Sequence, residues 1–199
     1  MLPAGRLARP NPGPRLNAST LIGHLRLFLD IARFRRGPED LPASLSLLGF
    51  AIVGTGLSRL LMASLLPMGV AANPLVFVAI TLAGSALFLA LLLRAAGKQE
   101  RYLQTATASF GFQMVMAPLL LLTAWLFVGV EDSPMWRTPV LLLRLAVELW
   151  ALAVASRILR AATGWPLPAC VVLAVAGEIL LFLAVAGLFE QVENPQPPL

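Results

Sequence analysis

Charge is scarce in this chain. Only 13% of its 199 residues are Asp, Glu, Lys or Arg, against about 25% in an ordinary soluble domain, so there is too little polar surface to cover a water-facing core. Thiols are scarcer still. A single cysteine, Cys170, excludes an intramolecular disulfide and a cysteine zinc site, and its place in an apolar run marks an inert core residue. A single histidine, His24, excludes a His-based metal centre and a Ser-His-Asp triad. No other metal-ligand spacing exists, so no metal, cofactor or enzyme activity is expected. Basic residues interleaved with aromatics are missing too, and despite the formal charge of +5 nucleic acid is not an expected partner. Arg6, Arg9 and Arg15 are followed by no apolar segment close enough for a signal peptide. Pro3, Pro10, Pro12 and Pro14 break the amphipathic helix that a transit peptide needs, so residues 1–18 read as a disordered tail. Lys98 is the sole lysine beside many arginines, which fits a high-GC bacterium.

What is abundant is apolar: 58% of the residues are hydrophobic, gathered into runs. About 20 apolar residues are needed to cross roughly 30 Å of hydrocarbon. Five runs qualify, at about 44–66, 74–96, 106–130, 139–159 and 167–188. The spacing predicts an all-α, polytopic membrane helix bundle, with a five-span domain over 44–190 and a disordered tail over 191–199. Pro67 to Asn73 reads as an uncharged turn. Ahead of the spans, residues 19–37 form an amphipathic segment. Leu21, Ile22, Leu25, Phe28, Leu29 and Ala32 share one face; Arg26, Asp30 and Arg33 share a narrow polar arc. Ser19 can cap its start, and Gly37-Pro38 can stop it. Too short and too charged to span, it is expected either to lie in the interface, with Arg26, Arg33, Arg35 and Arg36 toward anionic lipid headgroups, or to pack on the protein's own cytoplasmic surface.

The arginines set the threading. Arg6, Arg9, Arg15, Arg26, Arg33, Arg35 and Arg36 precede the first span. Arg94, Lys98 and Arg101 flank the turn after the second, and Arg157 and Arg160 end the fourth. With five spans these groups share one side, while Arg137, Glu131, Asp132, Glu190 and Glu193 fall on the other. A cytoplasmic N-terminus and an external C-terminus in a bacterial inner membrane follow. Trp136 outside and Tyr102 and Trp165 inside suit the aromatic belts.

Four ionisable residues fall inside spans: Arg59, Arg144, Glu148 and Glu178. A charge there costs on the order of 3 kcal/mol, so it usually faces the bundle and finds a partner. Arg144 and Glu148 are spaced i,i+4 on one helix face. At 1.5 Å rise per residue, all four lie within about 9 Å of one another in depth. A buried cluster with Arg59 paired to Glu148 or Glu178 is expected, serving either as a relay or polar substrate site, or to fix helix register. Gly49, Gly54, Gly56 and Gly84 have no Lys-Ser/Thr after them and read as close-packing positions. Thr105, Thr107, Ser109 and Gln113 make the inner end of the third span polar. Hydroxyls there can line a cavity or bond back to helical carbonyls.

Leu27-Phe28-Leu29-Asp30-Ile31-Ala32-Arg33 leads through Gly37-Pro38 into the first span. Lys98 to Gln104 leads into a third span carrying Ala117-Pro118-Leu119. Trp150 precedes Ser156-Arg157-Ile158-Leu159-Arg160 and the run after Pro168. This layout, over about residues 25–190, resembles the bacterial branch of the Yip family of five-span membrane proteins. Eukaryotic members carry an Asp-Leu-Tyr-Gly-Pro-like motif and bind Rab-type GTPases; the motif is missing here, so that binding is not implied. The resemblance implies a helical five-span bundle with a cytoplasmic N-terminus and no established chemistry.

Three functions are compatible with these features. The first is a non-enzymatic membrane-organising or partner-docking scaffold that contacts the bilayer and an unknown membrane protein. The second is a small transporter or ion- and proton-handling protein using the intramembrane cluster. The third is an intramembrane lipid enzyme, for which only Glu148 and Glu178 are candidates.

Overall fold

A backbone surrounded by hydrocarbon has no water to satisfy its N–H and C=O groups, which leaves helices as the spanning form for apolar runs of this length. The computed structural model describes residues 18–65, 73–130 and 133–193, and among them there is no strand. Six α-helices follow in order: α1 (Ala18–Ala32), α2 (Leu45–Leu65), α3 (Pro74–Ala95), α4 (Tyr102–Gly129), α5 (Pro134–Thr163) and α6 (Leu167–Glu193). The last five are long and apolar enough to cross a membrane, so the chain is an all-α, multi-pass membrane protein. Residues 1–17, the turn over 66–72, Glu131, Asp132 and residues 194–199 lie outside the described residues.

The helix ends follow local chemistry. Asn73 caps α3, its side chain accepting from Leu75 N at 3.1 Å and Val76 N at 3.3 Å, with Pro74 at the first helical position. Gly164 closes α5 with φ 79°, the left-handed conformation that glycine adopts without penalty. Several boundaries differ from the expected ones: α4 begins at Tyr102 instead of about 106, and α5 ends at Thr163 instead of about 159. α5 begins at Pro134 and carries Pro139 inside it. The missing Pro139 N–H removes only one bond near the helix start, where Pro134 rather than Pro139 takes the first position. α6 runs on to Glu193, past the expected start of a disordered tail at 191.

α4 is the central strut and packs against α1, α2, α3 and α5; α6 closes the bundle against α5 and α3. Small residues let the helices approach. A Cβ at Gly54 would strike Met114 of α4, and one at Gly84 would strike Leu181 of α6. A Cβ at Gly56 would lie 3.3 Å from Leu82, whereas one at Gly49 would meet open space, so Gly49 has no packing role. Thr55 is buried and donates from Oγ1 to the Phe110 carbonyl at 2.6 Å, tying α2 to α4.

α1 divides its apolar face. Phe28, Ile31 and Ala32 are buried in the bundle, while Ile22, Leu25 and Leu29 stay exposed beside Arg26 and Arg33. One strip of the segment packs on the protein itself, against α4, and the neighbouring strip faces outward. Trp150 Nε1 donates to the Ala32 carbonyl at 3.1 Å and pins the helix end to α5. Termination is not at Gly37-Pro38. Phe34 N donates to Ile31 O at 3.0 Å and Arg35 N to Asp30 O at 2.8 Å, the bond pair of a Schellman motif. The left-handed position is filled by Phe34 at φ 61° instead of glycine, a strained choice for a residue with a Cβ.

Candidate functional site: a cavity with charged groups among five helices

A cavity of about 570 Å³ lies between α2, α3, α4, α5 and α6, within the range of small-molecule sites. Most of its wall is apolar, including Phe77, Phe88, Phe112 and Met116. Charged and amide side chains enter from four helices: Arg59 from α2, Gln113 from α4, Glu148 from α5 and Glu178 from α6. Helix α2 turns Arg59 toward the cavity through its 3.6-residue period, whereas Glu148 and Glu178 line it from exposed positions. In α2 the sequence Thr55, Ser58, Arg59, Met62 keeps one face on the cavity.

The pairing within the site differs from the expected one. Arg59 Nη2 donates to Gln113 Oε1 at 2.7 Å and makes no direct ion pair with Glu148 or Glu178. The neutral amide satisfies a guanidinium donor without a second charge. Glu148 is instead held by Arg144 from its own helix, Nε to Oε1 at 3.7 Å, long for a charge-assisted bond. The side chains of that pair are 38% and 53% exposed, and the Arg144 guanidinium lies 5.7 Å from the Phe127 ring centre. Arg144 is not part of the cavity wall. Three of the four expected residues thus converge on one space, and the fourth stands beside it.

Glu178 lines the same cavity as Arg59, but it forms no ion pair among the described residues. The expected burial of the cluster does not hold: Arg59 is half-buried, and Glu148 and Glu178 are exposed. The cavity therefore presents a guanidinium with donors to spare and, at its open edge, a carboxylate with open acceptors, along a largely apolar wall. Of the polar residues at the inner end of α4, Ser109 and Gln113 face the cavity. Thr105 and Thr107 bond back to Arg101 O at 2.8 Å and Leu103 O at 2.7 Å and face the core. The sequence does not mark Gln113 as the partner of Arg59. Its polarity was visible, but its depth depends on where α4 starts. No group of His, Cys, Asp and Glu able to hold a metal occurs among the described residues.

Arg26, Arg33, Arg35 and Arg36 are all exposed at the α1 end of the molecule, with Arg36 Nε 3.4 Å from Asp30. Comparison with protein-family models, with curated proteins and with solved structures gave no match.

Proposed function

We propose that this integral membrane protein is a small carrier whose solute occupies the five-helix cavity. The observation that carries the reading is the convergence of Arg59, Glu148 and Glu178 on one space of about 570 Å³. Charges purely for helix register would be paired with each other, yet Arg59 and Glu178 are not. A solute with both an anionic and a cationic group on an apolar body complements the site: its anion faces Arg59, its cation faces Glu178, and its body lies on the phenylalanines. Leucine and phenylalanine serve as probes of that chemistry. In proteoliposomes, exchange of labelled probe is expected for the native chain and should fall by at least ten-fold in Glu178→Gln, because a hydrogen bond to a charged group is worth about 1.5–3 kcal/mol. A proton flux followed with an entrapped pH dye is the second arm. Native and Glu178→Gln chains that behave alike in both arms would reject the carrier reading.

A second reading, a scaffold of the Yip-like type, is favoured by the outward strip of Ile22, Leu25 and Leu29 beside exposed arginines on α1. Both readings take the arginine-rich end as cytoplasmic, in a bacterial inner membrane. Reporter fusions should then be active inside at the N-terminus and outside at the C-terminus; two ends in one compartment would contradict the threading.

A further inference from the structure

At the arginine-rich end, a cleft of about 430 Å³ separates the end of α1 and the turn Pro38–Asp40 from the last turns of α5. Arg35 and Arg36 line it from one side and Arg157 and Arg160 from the other. The last two are three residues apart and share a helix face. Glu39 and Asp40 also line the cleft. Asp40 is turned to its own backbone, its Oδ2 accepting from Gly37 N at 2.9 Å.

These arginines are not needed to cap helices. Each helix C-terminus carries about half a negative charge and unsatisfied carbonyls, but both ends here are served by other groups. α1 is closed by the Phe34 and Arg35 backbone bonds. α5 is closed by Gly164 N to Arg160 O at 2.8 Å and by Arg101 Nη1 to Ala161 O at 3.0 Å. Among the described residues, the guanidiniums of Arg35, Arg157 and Arg160 donate to no protein acceptor and form no ion pair. The strained Phe34 supplies an independent observation. Its left-handed backbone brings its ring under Arg157, whose guanidinium carbon lies 5.0 Å from the ring centre. A residue with a Cβ is strained in this conformation, and such strain persists where it positions something; here the ring lies against a cation.

We propose that this cleft binds one anionic phosphate group, held by the planar forks of Arg157 and Arg160 with Arg35 opposite, and that Phe34 is a positioning residue for Arg157. Planar forks match phosphate oxygens two at a time. The same chemistry is offered by an anionic phospholipid headgroup and by a soluble phosphomonoester. The reading is independent of the carrier reading, because no residue is common to the two sets of phosphate and solute ligands.

The full chain is reconstituted in nanodiscs of phosphatidylcholine with or without phosphatidylglycerol, and retained lipids are counted by native mass spectrometry. In phosphatidylcholine discs, thermal shifts are read with glycerol 3-phosphate. Retention of one phosphatidylglycerol per chain assigns the headgroup source; a shift with glycerol 3-phosphate assigns the soluble one. In whichever arm binds, Arg157→Gln and Arg160→Gln should weaken binding roughly ten- to hundred-fold. Phe34→Gly, which relieves the backbone and keeps the fold, should weaken it several-fold, and Arg137→Gln at the other end of α5 should not. Binding in neither arm, or equal binding by the native chain, Arg160→Gln and Phe34→Gly, overturns the proposal.

Discussion

Arg59→Met should leave the protein as stable as the native chain, or more stable by up to about 3 kcal/mol, while abolishing solute binding in the cavity. The cost of holding an arginine at mid-bilayer depth is about 2.5–3.5 kcal/mol on insertion scales. In this protein that cost is met by a single hydrogen bond to Gln113 at 2.7 Å and by no ion pair. Breaking a buried ion pair leaves an uncompensated charge and destabilises strongly, but removing an unpaired arginine in favour of an apolar side chain of similar volume leaves none. The Gln113 amide loses one partner, at about 1 kcal/mol, and the adjoining cavity has room for water to replace it. Stability in lipid nanodiscs and solute binding should therefore move in opposite directions.

That opposition separates two roles. If Arg59 were a strut holding α2 to α4, its loss would lower the unfolding midpoint and any loss of binding would follow from unfolding. If it is a solute ligand, the midpoint holds or rises and binding disappears, the trade-off expected where a site is kept at the expense of stability. A midpoint that falls by several degrees in Arg59→Met, with Glu178→Gln unaffected, would assign Arg59 to architecture.

The spans were legible because lipid makes a long apolar run a sufficient condition for a helix, and α2 and α3 start and stop within a residue or two of where the runs do. Their ends were less legible where two signals competed. Pro139 looked like a helix start because Pro134, the residue that takes that position, stood among charged and polar neighbours. The end of α1 was assigned to Gly37 on the general preference of glycine for the left-handed position, and the chain uses Phe34 there. The Phe34 ring there lies under Arg157, which is distant in sequence and close only after folding. The same limit governs the cavity. Charges in apolar runs stand out, so Arg59, Glu148 and Glu178 were found together. Which of them touch depends on helix rotation, which no single run records, and a neutral glutamine one helix away decides the outcome.

Phe28→Ala should detach α1 from the bundle. The Phe28 side chain is fully buried, and truncating such a phenylalanine costs about 3–5 kcal/mol. That exceeds what the Trp150 bond to Ala32 can restore at about 1 kcal/mol, and the exposed strip of Ile22, Leu25 and Leu29 gives the freed helix an alternative resting place in the interface. Trypsin should then cut at Arg33 and Arg35 faster than in the native chain, and phosphate binding in the cleft should be lost with the α1 wall. The cavity among α2 to α6 should keep its solute, since α1 contributes nothing to its wall. The contact also predicts a compensation. A Cβ added at Gly111 of α4 would collide with the Phe28 ring, so Gly111→Ala alone should cost about 1–3 kcal/mol by overpacking. With Phe28→Ala present, the same methyl enters the space the ring has left, and the two losses should sum to less than their separate values by 0.5 kcal/mol or more, the coupling expected of residues in contact. Strictly additive losses, or unchanged trypsin protection in Phe28→Ala, would show that α1 is held on the bundle by something other than this ring against that glycine.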